Sequence, residues 1–260
     1  MFAAKRIEKI KEVMLEYKRV DISTLSSILS VSEATIRRDL EKLENEGFLK
    51  RSYGGAVLDE DMNVQPAPSR ETTPNLDEKK MVGYIASQLV ENNEAIIIGS
   101  GITCLQFAKH LKNKKNLTIV TNNVHIPSEL SSNKEIKVVL TGGDVIYNDE
   151  SMSMVGEFAH KMLEDIHVSK AFLGTGGVDI QFGFTSSNSD IAVMWNKMCR
   201  VANEVIILGD YTKFGKKNFI KLGPLNTAGK IVTNQEVPEE FKKYFFENGI
   251  PIYTSYELEK

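Results

Sequence analysis

The chain is 260 residues long, 42% hydrophobic and 26% charged. That is enough to bury a sizeable core and too apolar for a disordered chain. The formal charge of -3 and pI near 5.9 argue, as an average, against a nucleic-acid binder, which usually carries excess Lys and Arg. The two cysteines, Cys104 and Cys199, lack metal-ligand spacing, so neither a disulfide scaffold nor a zinc site is expected, and no cofactor signature is readable. No run approaches the ~18 apolar residues of a membrane span, and MFAAKRIEKIKEVM lacks a signal-peptide core, so a cytoplasmic protein is expected.

In chain order, residues 1–58 read as three helices and a hairpin. Ile7, Ile10, Met14 and Tyr17 mark one helical face. Ile22, Leu25, Ile28 and Leu29 give a short second helix, broken at Ser30-Val31-Ser32. Ser32 suits the N-cap of a third helix with Ile36, Leu40 and Leu43 inward, and Gly47 suits its C-terminal cap. Residues 48–57 then form two short strands around Ser-Tyr-Gly-Gly. Residues 59–75, DEDMNVQPAPSRETTPN, hold three of the seven prolines and no apolar periodicity, the composition of a linker.

Residues 76–260 alternate helical patterns with apolar strands. A helix over 76–91 precedes strands at Ala95–Ile98, Leu117–Val120, Lys137–Leu140, Lys170–Leu173, Glu204–Leu208 and Lys230–Val232. Continuous apolar strands separated by helices predict a mainly parallel α/β sheet covered on both faces. The expected architecture is therefore a winged helix-turn-helix domain (1–58), a linker (59–75) and a larger α/β domain (76–260).

Two short helices with a tight turn, the second followed by a hairpin, place that second helix in the DNA major groove. With Ile36, Leu40 and Leu43 inward, Ala34 and Arg38 point outward beside Thr35, Arg37 and Lys42. Arg38 can chelate guanine, and the Ala34 and Thr35 methyls can meet thymine. Ser32, Arg37, Lys42, Lys50 and Arg51 suit phosphates, and Gly54 and Gly55 let the wing bend. The bland alternative is a solvated three-helix domain whose arginines pair with Glu41. Charge is split between the parts. Residues 1–58 hold 11 Lys and Arg against 9 Asp and Glu, while the remainder holds 21 against 26. The negative balance therefore lies outside residues 1–58, in the linker and the α/β domain together.

In the α/β domain each apolar run stops in small or polar residues: GSGIT at 99–103, TNN at 121–123, TGGD at 141–144, GTGG at 174–177 and GD at 209–210. In an open parallel sheet these loops share the edge where ligands bind. Gly99–Thr103, with Ser100 and Thr103, has the makings of an anion cradle at a helix N-terminus, and Lys213 can add a point charge. Ordinary tight turns and a solvated lysine remain the bland alternative.

The stretch VSEATIRRDLEKLENEGFLKRSYGGA, from Val31 to Ala56, closely resembles the DeoR family of bacterial transcriptional regulators, in its VS-x-x-TIRRDL helix and R-x-x-GGA wing. The resemblance continues through GSGITCLQFAKHL, LTIVTNN, VVLTGGDV, KAFLGTGGVD, GFTSSNSD and GDYTKFG. It implies that Thr35, Arg37 and Arg38 contact DNA. It further implies a sensor domain folded like ribose-5-phosphate isomerase and the CoA transferases, binding a phosphorylated sugar or derivative at Ser100, Gly101, Thr103, Thr121, Asn122, Gly142, Gly143, Gly174 and Lys213. The implied partners are operator DNA, the effector and further copies of the chain in a homodimer or homotetramer. Two departures stand out. The first loop, commonly D-S-G-T-T, is GSGIT here, and a helix position commonly Lys is Met194, followed by Trp195.

An isomerase is the rival reading from another class. Aldose–ketose isomerisation needs a positioned base, yet residues 172–177 read FLGTGG, with no acid before Asp179. A ligand-controlled regulator, a repressor of a carbohydrate-metabolism operon, is the expectation. A ligand-free architectural protein is disfavoured by the size of the α/β domain.

Overall fold

The computed structural model describes residues 3–17, 19–45, 48–52, 54–58, 73–148, 151–234 and 237–254. The expected cap at Gly47 and all of the linker before residue 73 lie outside these residues. The chain divides into two compact units, Met1–Ser69 and Arg70–Lys260.

The first unit contains α1 (Ala3–Tyr17), β1 (Arg19–Asp21), α2 (Ile22–Leu29), α3 (Glu33–Asn45), β2 (Leu49–Ser52) and β3 (Gly55–Leu58). Ile10, Met14, Leu25, Ile36, Leu40 and Leu43 are fully buried together, the faces expected from their spacing. Tyr17 and Ile28 are exceptions, 61% and 50% exposed: each sits at the last turn of its helix, beyond the reach of the core. The hairpin β2–β3 gains a third strand, β1, in the antiparallel order β1-β3-β2. A three-residue strand leaves no periodicity to read. Gly55 makes this pairing possible, because a Cβ there would fall 2.5 Å from the Val20 carbonyl oxygen. Its small size therefore serves the sheet.

The second unit is built on seven strands: β4 (Ala95–Ile98), β5 (Leu117–Thr121), β6 (Ile136–Leu140), and later β9 (Val168–Gly174), β12 (Ala202–Leu208), β14 (Lys230–Val232) and β15 (Ile252–Tyr253). Their order is β15-β14-β12-β9-β4-β5-β6, and every neighbouring pair is parallel. Side chains alternate between faces along each strand. Ile96, Ile98 and Phe172 join α4 (Leu76–Ser87), α5 (Ile102–Lys109) and α6 (Ile126–Leu130) in one core. Ile97, Ala171 and Leu173 join α7 (Glu157–Glu164), α8 (Ser189–Arg200) and α9 (Glu239–Glu247) in the other. Helices cover both faces, which is why the strands are apolar throughout. Among the described residues no helix is long and apolar enough to cross a membrane, and no cluster of three or more His, Cys, Asp or Glu could hold a metal ion.

Antiparallel pieces decorate this sheet. β7 (Asp144–Asn148) and β8 (Ser151–Val155) form a hairpin, and β10 (Gly177–Asp179), β11 (Gly183–Ser186) and β13 (Ile220–Gly223) form a small sheet. Gly143, just before β7, has φ +100°, and a Cβ there would lie 2.2 Å from the Val155 carbonyl oxygen. Gly143→Ala is therefore expected to destabilise the unit by about 1–3 kcal/mol, read as a lower urea midpoint at unchanged slope.

The path of the chain through the sheet fixes where a site can form. From β4 the chain runs outward to β5 and β6, then returns to place β9 on the other side of β4. The loops after β4 and β9 therefore leave in opposite directions and open a crevice between them.

Candidate functional site

In the first unit, α3 is started by Ser32, whose Oγ accepts the Thr35 N–H at 3.4 Å and lies 2.9 Å from the Thr35 hydroxyl. The Ser32 hydroxyl thus caps the helix that carries the expected base readers, with the Thr35 hydroxyl bonded to it. Ala34, Arg37, Arg38 and Lys42 are exposed on α3, and Lys50, Arg51 and Gly54 on the wing. The pairing of Arg37 differs from the Glu41 contact of the bland alternative. Arg37 lies 3.3 Å from Glu33, one turn back. Arg51 donates its backbone N–H and its Nε to Glu44, at 2.9 and 2.6 Å, and this holds the Glu44 carboxyl below its usual range. Arg51 therefore ties the wing to α3.

Asp39 escaped the sequence reading. It sits beside the inward residues and takes Nε and Nη2 of Arg6 at 2.5 and 3.2 Å, with both side chains about nine-tenths buried. A forked Arg–carboxylate contact fixes relative orientation as well as distance, so α1 holds the recognition helix in one pose. The visible signal was an acid beside two inward leucine positions.

In the second unit the crevice at β4 and β9 opens into a cavity of about 320 Å3. Six of the expected effector residues line it: Ser100, Gly101 and Thr103 after β4, Asn122 after β5, Gly174 at the end of β9, and Lys213. Gly101 has φ +101° and caps α5, which turns the helix N-terminus toward the cavity. Its own N–H is spent on the Ser151 hydroxyl at 3.2 Å, and its carbonyl accepts from Asn123 Nδ2 at the same distance. The cradle thus rests on the N–H groups that follow Gly101, where α5 has no earlier turn to bond. Asn122 is buried; its Nδ2 donates to the Met154 carbonyl at 3.1 Å, and its Oδ1 has no hydrogen-bond partner among the described residues.

Thr121, Gly142 and Gly143 are not brought to the cavity wall. The Thr121 hydroxyl is buried between the Ile98 carbonyl, which accepts its proton, and the Asn123 N–H, which donates to it. Gly142 and Gly143 turn the chain from β6 into β7. These residues share the sheet edge with the site without lining it.

Residues outside the expected set also line or support the cavity. Lys79, on α4, lines the cavity beside Pro74 and Asn75. Its Nζ donates to the Pro74 carbonyl at 2.6 Å and lies 3.3 Å from Asp210 Oδ2. The signal was a lysine about one turn before Val82 and two turns before Ala86, on a buried face. Asp210 is fully buried and accepts from the Thr212 N–H at 3.1 Å and from the Thr212 hydroxyl. Burial pushes the Asp210 carboxyl up, but Thr212 and the charges of Lys79 and Lys213 outweigh it and hold the group below its ordinary value. Trp195 lines the cavity from α8, with its indole N–H given to the Gly174 carbonyl at 3.2 Å.

Both units match families of known proteins. Residues 6–62 match the family model described as the DeoR-like helix-turn-helix domain, and residues 74–235 the DeoR C terminal sensor domain. The chain belongs to the DeoR family. Among relatives of this DeoR-family chain, the uncharacterized HTH-type transcriptional regulator YulB of Bacillus subtilis is 35% identical over 90% of each chain. The HTH-type transcriptional regulator IolR of the same organism is 31% identical over 95% of this chain and 98% of its own. Its HTH-type transcriptional repressor GlcR is 28% identical over 97% and 96%. The DeoR-family chain is thus a DNA-binding transcriptional regulator with a sensor domain, and not an enzyme.

Proposed function

We propose that the protein represses a carbohydrate-metabolism operon in the cytoplasm and that a phosphorylated sugar or sugar derivative, bound in the sensor cavity, controls its hold on operator DNA. Cavity placement carries the reading: it lies at the point where strand order reverses between β4 and β9, with the α5 N-terminus, Lys79, Lys213 and Lys216 on its walls. An anion gains from a helix N-terminus and from ammonium groups together, and the hydroxyls of Ser100, Thr103 and Thr175 suit a sugar. The repressor named among the relatives supports the sign. Ser32, Ala34, Thr35, Arg37, Arg38, Lys42, Lys50 and Arg51 form the DNA-contacting set in this reading, and the sensor units assemble a homodimer or homotetramer on a two-fold operator. An effector alters DNA affinity only by binding one sensor state better than the other.

The test is a thermal-shift panel of sugar phosphates, followed by gel shifts on the DNA upstream of the protein's own gene. A stabilising compound that weakens the DNA complex is expected. A compound that strengthens it overturns the repressor sign, and a panel without a stabilising compound overturns the ligand class. Lys213→Ala is expected to lose at least tenfold in affinity for the stabilising compound while binding DNA as the parent does. Unchanged affinity by thermal shift removes Lys213 from the anion site.

A further inference from the structure

We infer that the effector carries an apolar substituent packed against α8, a class narrower than sugar phosphates at large; the inference rests on the cavity being the effector site. Ile191, Met194, Trp195 and Met198 occupy positions i, i+3, i+4 and i+7 of α8, and all four line the cavity. Together they make one continuous helical face. Leu222 of β13 lines the cavity too. No side chain of this group offers a hydrogen bond to a ligand, because the one polar hydrogen among them, on the Trp195 indole, is given to the Gly174 carbonyl. Met194 and Met198 present unbranched thioethers, which adapt their shape to an apolar guest.

Much of the rest of the wall is polar, with Ile102, Leu173 and Pro74 among its apolar members. Lys213 and the α5 N-terminus suit an anion, and Asn122 Oδ1, buried and without a partner among the described residues, awaits a donor. A ligand with hydroxyls on every carbon satisfies that side and leaves hydroxyls unpaired against α8. A buried hydroxyl without a partner costs roughly tenfold in affinity or more. A sugar phosphate with an acyl group, or with one hydroxyl removed, meets both walls.

Trp195 is the chain's single tryptophan, so its fluorescence reports occupancy of this wall directly. The experiment titrates the full-length protein with inorganic phosphate and with matched sets of glucose and galactose 6-phosphates. Each set contains the parent sugar, its 2-deoxy form and its N-acetylamino form, and Trp195 emission and melting temperature are read together. The expected result is that in at least one set a substituted form binds tenfold or more tighter than its parent and shifts Trp195 emission. Met194→Gln, verified to melt cooperatively, is expected to narrow that ratio, while Met194→Leu keeps it. Parents that bind as tightly as their substituted forms overturn the proposal, as does a ratio that Met194→Gln leaves unchanged. Phosphate binding without any sugar phosphate binding also overturns it, and leaves the anion site standing. If neither phosphate nor any sugar phosphate moves the emission or the melting temperature, the underlying site reading fails as well.

Discussion

Replacing Lys79 with alanine is expected to destabilise the sensor unit by about 3 kcal/mol, read as a lower urea midpoint. Asp210 is completely buried, and the Lys79 ammonium lies 3.3 Å from its carboxylate. Without the ammonium, a buried carboxylate keeps its desolvation cost and loses much of its compensation. The pair also has a pH signature. In the folded protein the Asp210 carboxyl is held below its ordinary value despite its burial, by Thr212 and by the charges of Lys79 and Lys213. A lowered folded value means that the stabilisation is present above the unfolded value of about 3.9 and is lost as pH falls through the folded value. Lys79→Ala removes part of the downward pull, so acid unfolding of the variant is expected to begin at higher pH. The double variant Lys79→Met, Asp210→Asn is expected to recover much of the lost stability, since it leaves no unpaired buried charge while the asparagine oxygen still accepts from Thr212. Equal urea midpoints for parent and Lys79→Ala would show that the pair contributes nothing.

That pair illustrates what the sequence concealed. Six strands of the central sheet were readable, because strands buried on both faces leave apolar runs such as AIII and EVIIL. β15 was not: two residues at a sheet edge, Ile252 and Tyr253, leave no run. The hairpin β7–β8 and the β10–β11–β13 sheet were hidden for another reason. Their strands mix polar and apolar residues without one constant burial pattern, with Val145 and Tyr147 of β7 exposed and all of β11 buried, so the sequence resembles loop. Strand ends located the cavity, since Ser100, Gly101, Asn122 and Gly174 all follow apolar runs. Spacing alone did not show the lining from α4 and α8, because Lys79, Met194 and Trp195 are spaced as core residues; Met194 and Trp195 stood out only through the family resemblance, and Lys79 not at all. Thr121, Gly142 and Gly143 show the converse: a residue at the right sheet edge can be consumed by its own turn.

The second large effect concerns DNA. Arg38→Ala is expected to weaken binding to the selected operator by roughly 1–3 kcal/mol and to relax the base preference at one position in each half-site. Arg38 is exposed on α3, one helical turn beyond the exposed Ala34 and next to the forked Arg6–Asp39 contact that holds the helix. Arg37 and Arg51 already have acidic partners, Glu33 and Glu44, and must exchange them for phosphate; their net gain on binding is correspondingly smaller. Lys42→Ala separates the two kinds of contact. If Lys42 meets a phosphate, its loss weakens all sequences alike and lowers the salt slope of log affinity by about 0.9. Loss of Arg38 instead lowers the ratio of specific to non-specific affinity. Sites chosen by the parent protein from a randomised pool supply the DNA, and titrations over a range of salt give both quantities. Should Arg38→Ala keep the parent's specificity ratio, α3 reads bases through Ala34 and Thr35 alone.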